Sequence, residues 1–208
     1  TFNHEWIIAK MDISKALNMV NSNIPSRRAV AAILESAIMA ANPVEAVQRN
    51  LGRQRYSLLA GGEEYPITSN TRLVTIALGK AAPAMLRGAS ICLGDLVQRG
   101  VCVTKHIEGT CQPVKGIQYI KGDHPVPGEG SLAAGRAIQS VLEGLTAQDI
   151  VLVLLSGGGS ALATLPVDGV SLADMQQMTG VLLRAGVTIT ELNTVRKHLD
   201  RIKGGGLL

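Results

Sequence analysis

The sequence predicts an α/β fold, a mostly parallel sheet with helices on both of its faces. Two observations carry this. The apolar runs Leu73-Val74-Thr75-Ile76-Ala77 and Ile150-Val151-Leu152-Val153-Leu154-Leu155 do not alternate, as expected of strands buried on both faces. Segments with apolar residues at helical spacing lie between such runs, and that order argues for parallel strands joined by crossover helices.

The elements follow in order. Ser26 is expected to cap a helix whose Val30, Ile33, Leu34, Ala37, Ile38 and Ala41 share a face. Asn42-Pro43 ends it, and Pro43 suits the first turn of a short second helix through Val44, Val47 and Leu51. Residues 61–70 read as a loop. After the strand at Leu73, Gly79-Lys80-Ala81-Ala82 opens a helix to Leu96. Short strands are expected over 100–104 and 116–120, then the turn-rich Gly122-Asp123-His124-Pro125-Val126-Pro127-Gly128. A helix over 131–145 leads into the second apolar run. Ser171 with Asp174 caps another helix, and Thr190 is expected to cap the last.

Composition narrows the function. Hydrophobic residues make up 46% of the 208 and charged residues 17%, the balance of a globular chain with a sizeable core. Aromatics are only 2%, so platforms for stacking single-stranded nucleic acid are largely absent. A net charge of +4 without a long basic run fits a small anionic substrate at least as well as a nucleic acid. Cys92, Cys102 and Cys111 are odd in number and lack CxxC spacing, which points to a reducing, cytoplasmic setting and not to a disulfide framework or a zinc site. No apolar stretch reaches the roughly 20 residues of a membrane span. Residues 1–25 hold no continuous apolar segment and read as an N-terminal extension, with Met11 an alternative start, before a domain over 26–208.

Ser156-Gly157-Gly158-Gly159-Ser160 ends the second apolar run, and there the backbone can turn sharply and bring N–H groups close to an anion. A tight turn without a ligand is the competing reading. The loop is no dinucleotide fingerprint, because Leu162 stands where a third glycine is needed, and no Gly-x-Ser-x-Gly frame fits either serine. Lys80 lies at a helix start, where a cation is poorly placed for helix stability, so it either faces a negative partner or simply solvates the helix end. Val74 and Ala81 break the match to a Walker A loop. In the last helix, Leu192, Val195, Leu199 and Ile202 are expected to face the core, with Lys197 and Arg201 opposite. Arg196 and Lys203, seven residues apart on the rim of that stripe, can snorkel or present their heads to a cleft, with Asn193 a weaker candidate. Asp123-His124 can serve acid–base chemistry or be structural.

Taken in order, Asn42-Pro43, Gly79-Lys80-Ala81, Gly122-Asp123-His124-Pro125-Val126-Pro127, Leu155-Ser156-Gly157-Gly158-Gly159-Ser160-Ala161-Leu162 and Glu191-Leu192-Asn193-Thr194-Val195-Arg196-Lys197-His198-Leu199, with Ile202-Lys203-Gly204-Gly205-Gly206-Leu207, resemble the glycerate 2-kinase family. This is the class with a C-terminal leucine-rich (MOFRL) domain that is also labelled hydroxypyruvate reductase. The resemblance implies a Rossmann-like three-layer α/β/α domain and ATP- and Mg²⁺-dependent phosphorylation of D-glycerate at its 2-hydroxyl. It implies Lys80 as the catalytic lysine, and Ser156, Gly157, Gly158, Gly159, Ser160, Asn193, Arg196 and Lys203 as substrate- or phosphate-binding residues. It names no metal ligand and no general base. Family members are longer, with the cleft between two domains. The implied partners are therefore D-glycerate, a second domain or chain supplying the other wall, and a homodimeric copy, with neither nucleic acid nor membrane. The alternatives are an NAD(P)H-dependent hydroxypyruvate reductase and a non-catalytic ligand-binding fragment.

Overall fold

The computed structural model describes residues 25–107 and 113–207. They open with two helices, α1 (Pro25–Ala40) and α2 (Pro43–Asn50), the second capped by the Asn42 side chain, which accepts the Val44 N–H at 3.0 Å. An antiparallel meander follows: β1 (Leu51–Gln54), β2 (Ser57–Ala60) and β3 (Glu63–Pro66). Then come β4 (Leu73–Leu78), α3 (Ala82–Leu93), β5 (Gly100–Thr104), β6 (Ile117–Lys121), α4 (Glu129–Leu142) and β7 (Ile150–Leu155). The chain continues through α5 (Gly159–Leu162), α6 (Leu172–Arg184) and α7 (Ile189–His198).

The four strands β4 to β7 form one parallel sheet in the order β6-β5-β4-β7. Alternate residues divide its core in two. On one face Ala77, Cys102 and Leu154 meet Leu86, Ala89 and Leu93 of α3, with Leu51 and Leu58 of the meander. On the other, Ile76, Leu78, Val101 and Val103 meet Ala134 and Ile138 of α4 and Leu162 of α5. Full burial of one Leu or Ile contributes about 1.5–3 kcal/mol, whereas an exposed ion pair contributes at most ~1 kcal/mol. These apolar rows, not the surface charges, hold the three layers together, as the alternation of strands and helices predicts.

Several expectations need correction. The segment read as a loop over 61–70 contains β3, and its hairpin turn is Gly61-Gly62, both at positive φ, as a two-residue turn matched to strand twist requires. Leu51 lies in β1 and not in the second helix. Ser26 lies inside α1, whose described part starts at Pro25, and no α1 residue is buried: Val30, Ile33 and Leu34 share a face without core contact. β7 is not buried on both faces. It borders the sheet, and Val151, Val153 and Leu155 are exposed, the last 64%. The last helix is capped by Thr188 with Glu191 in a reciprocal capping box, not by Thr190. The Ser171–Asp174 box forms as expected. Among the described residues no single helix is long and apolar enough to cross a membrane. The expectations for residues 1–24 and Cys111 lie outside the described residues.

The entry ends of β4 and β7 are clasped by Arg72 and Asp149. Asp149 accepts from the Arg72 side chain, from the Arg72 N–H at 3.1 Å, and from the Thr146 N–H and hydroxyl at 2.7 and 3.0 Å. The Arg72 guanidinium, with the Thr146 donors, holds the carboxyl well below the usual carboxylate range. Because this value is depressed on folding, the clasp contributes above the unfolded value of about 3.9 and is lost as pH falls through the folded one. Asp149→Asn should therefore lower the melting temperature by a few degrees at neutral pH, with the gap to the parent closing below about pH 4. A gap independent of pH in melts across an acid series would contradict this.

Candidate anion-binding site at the carboxyl edge of the sheet

Along the chain the sheet grows from β4 to β5 to β6 and then returns to the other side of β4 for β7. The loops after β4 and β7 therefore flank the point where the winding direction reverses, the usual ligand crevice of an open α/β sheet. Here the two loops are joined. The Lys80 N–H donates to the Gly157 carbonyl at 2.9 Å, and the Ala81 N–H donates to Ser156 Oγ at 3.1 Å. Gly79 permits this approach: its φ is +129°, and a Cβ there would lie 2.2 Å from Ser156 Oγ and 2.5 Å from the Ser156 carbonyl oxygen. Gly158, at φ +89°, makes the left-handed turn into α5.

Four side chains gather over this joint. A Cβ placed on Gly158 would meet Lys80 Cε and His124 Cδ2, each at 3.4 Å. Burial holds the His124 imidazole below its ordinary value, and the charges of Lys80, Lys105 and Arg196 push it the same way, so all three cations act on it. Lys80 extends from the β4 loop, Lys105 follows β5, His124 follows β6, and Arg196 rises from α7.

Arg196 is the unusual member. Its residue exposure is 5%, yet Nε has no partner and Nη2 reaches only Thr179 Oγ1, at 3.5 Å. Burial lowers its guanidinium, opposed by the charge of Asp200. Among the described residues it pairs with no carboxylate within ion-pair distance. A buried cation with unsatisfied donors is costly unless an anion completes it.

The remaining candidates are placed as follows. Ser160 donates its hydroxyl to Asn193 Oδ1 at 3.3 Å, tying α5 to α7. Arg196 lies on the buried side of α7 with Leu192, not on a rim, while Val195 is exposed. Lys203 does not continue the helical face, because α7 stops at His198. Its ammonium donates to the Ala163 carbonyl at 2.8 Å and to Asp200, and burial pushes it down against the attraction of Asp200. Asp200, itself 3% exposed, also accepts from Thr164 Oγ1 at 2.6 Å and from the N–H groups of Leu165 and Ile202 at 3.3 and 3.1 Å. Asp123 turns onto the start of α4, where it accepts the Ser131 N–H at 3.2 Å while its own N–H donates to Ser131 Oγ at 2.9 Å. Lys105 was not singled out from sequence. Its position directly after a buried strand, at the same edge as Lys80, is the signal that could have found it.

The cluster thus offers cations, backbone donors and one imidazole, a set suited to phosphate or carboxylate. Among the described residues no three His, Cys, Asp or Glu side chains gather to hold a metal.

The joint makes a paired prediction. Gly79→Ala should cost about 2–4 kcal/mol from positive-φ strain and the clash with Ser156. Gly157→Ala, whose Cβ would meet nothing within 4 Å, should leave the denaturation midpoint nearly unchanged. Equal midpoints for the two variants would show that the loops are not locked at Gly79.

Residues 29–208 match the family described as a domain of unknown function, DUF4147. The chain is 43% identical over 145 residues to a D-glycerate 2-kinase of Thermotoga maritima, an alignment covering 69% of this chain and 34% of that protein. It is 40% identical over 175 residues to a glycerate 2-kinase of Pyrococcus horikoshii, covering 84% and 38%. The crystal structure of a glycerate kinase from Thermotoga maritima superimposes with a TM-score of 0.68 at 33% identity, over 93% of this chain and 40% of its own length. The chain therefore spans well under half the length of the relatives it matches, and by the match over residues 29–208 it belongs to the DUF4147 family.

Proposed function

We propose that this chain forms the phosphate-binding wall of a glycerate 2-kinase, which transfers the terminal phosphoryl group of ATP to the 2-hydroxyl of D-glycerate. The observation that carries the proposal is the buried, under-partnered Arg196 beside Lys80 and Lys105 at the winding reversal. Similarity to proteins named glycerate 2-kinase supports the choice of reaction. Phosphoryl transfer depends mainly on positioning and on neutralising the charge of the transferred group. In this reading Lys80 stabilises the moving phosphoryl group, while the amides of residues 156–160 and the Ser156 and Ser160 hydroxyls cradle phosphate or the glycerate carboxylate. Arg196 adds a buried positive charge, and Asn193 positions Ser160. Lys203 acts from beneath, by holding Asp200 and the strand-like segment after α5. A second domain or chain supplies the other wall, and a homodimer and a cytoplasmic setting belong to the same proposal.

The resemblance implies Mg²⁺. The acidic groups nearest the cluster do not fit a protein-held ion: Asp200 is enclosed by donors, and Asp123 faces Ser131. Mg²⁺ at phosphoryl-transfer sites is bound largely through substrate phosphates.

Arg196→Met gives a test that separates binding from folding. Removing an unpaired buried charge should leave the ligand-free melting temperature unchanged or higher. Affinity for ATP or inorganic phosphate in calorimetry should fall at least about thirtyfold. A melting temperature that drops sharply with phosphate affinity intact would reverse the assignment. In a coupled ADP-release assay with D-glycerate, Lys80→Ala should lower turnover about 10²–10³-fold. NADH absorbance on adding hydroxypyruvate should not change, since the loop lacks the dinucleotide fingerprint.

A further inference from the structure

Transfer of a phosphoryl group to a hydroxyl releases a proton, and most of the cluster is unable to take it. Lys80, Lys105 and Arg196 are cationic donors without acceptor capacity. Asp200 is enclosed by Lys203, Thr164 and two backbone N–H groups, and Asp123 is fixed on Ser131. His124 differs. Its Cδ2 lies 3.4 Å from where a Cβ on Gly158 would stand, on the side that also meets the Lys80 stem, and among the described residues its nitrogens have no hydrogen-bond partner. The loop that carries it is pinned on both sides: the Gly122 N–H donates to the Thr104 carbonyl at 2.9 Å, and Asp123 is held by Ser131.

We infer that His124 accepts the hydrogen bond, and then the proton, of the hydroxyl that receives the phosphoryl group. The inference rests on the glycerate-kinase reading and deepens it. In the step, the substrate O–H bond breaks and its oxygen bonds to the terminal phosphorus of the nucleoside triphosphate. The bond from that phosphorus to the bridging oxygen breaks, leaving the diphosphate, and the proton goes to the free ring nitrogen of His124. The charged groups that act on the imidazole come from three elements, Lys80 after β4, Lys105 after β5 and Arg196 on α7, and all are cationic. With burial they favour the neutral ring, the form able to accept. Bound anions offset that field and make proton uptake easier as the reaction proceeds.

The test uses this chain assembled with the second domain or chain that completes the cleft, and calorimetry with two ligands, D-glycerate and 3-hydroxypropionate, which keeps the carboxylate and lacks the 2-hydroxyl. The parent should bind D-glycerate about five- to tenfold more tightly, the value of one hydrogen bond. His124→Ala should bind the two equally. In the parent, the preference should shrink toward one as pH falls from about 8 through the ring's lowered value, below the ordinary value of about 6.5, where the imidazole is protonated and stops accepting. The ratio cancels the general attraction of a protonated histidine for both carboxylates. This pH arm needs no variant and decides the matter if His124→Ala does not fold. A preference that survives both the substitution and low pH overturns the role of His124 and leaves the kinase reading standing. A parent that binds ATP but neither carboxylate overturns the glycerate reading, and the role of His124 with it.

Discussion

The site depends on one backbone contact, the meeting of Gly79 with Ser156. Two parallel strands that leave the sheet side by side normally diverge into separate loops. Here the Gly157 carbonyl and the Ser156 hydroxyl accept the N–H groups of Lys80 and Ala81, so the two loops behave as one rigid floor. Because the approach is closer than any Cβ would allow, the floor has little freedom to shift. Rigidity of this kind is what electrostatic catalysis needs, since donors that are already in place cost no reorganisation when charge develops. The side chains above the floor come from separate elements, and each inherits its position from the register of β4 with β5 and β7.

Buried charge is treated in two opposite ways within a short stretch of chain. Asp200 is saturated: a lysine, a threonine and two backbone groups satisfy it, and through them it ties the segment after α5 to the turn after α7. Arg196, a few residues earlier, is left with an empty Nε. The first arrangement builds a scaffold, whereas in the proposed function the second is completed by an anionic ligand.

The parallel sheet was legible because burial on both faces removes alternation, and β4 and β5 meet that description closely. β7 reads the same way in sequence but keeps one face open, since an apolar run records an affinity for cover and not the presence of cover. The meander was missed because its strands are four residues long and β3 is polar and exposed, although Gly61-Gly62 signalled the hairpin. In the site, the glycine loop and Lys80 are visible from local chemistry. Arg196 and Lys203 show the limit of helical arithmetic: a helix that stops at His198 sends one inward and the other to Asp200. Lys105 is marked in sequence only by its place directly after a buried strand, and His124 only by the Asp123-His124 pair; that the two act at one edge follows from tertiary placement.

The open face of β7 bears on how the chain behaves in solution. Val151, Val153 and Leu155 form an apolar strip along a strand that has no described neighbour on its outer side. Among the described residues no strand pairs with the outer edge of β7, and an unpaired edge next to an apolar strip is a template for adding another strand. Solubility thus becomes a local property of this border. Charged residues introduced at Val151 or Val153, which face outward, are the conservative way to suppress aggregation without touching the floor of the site.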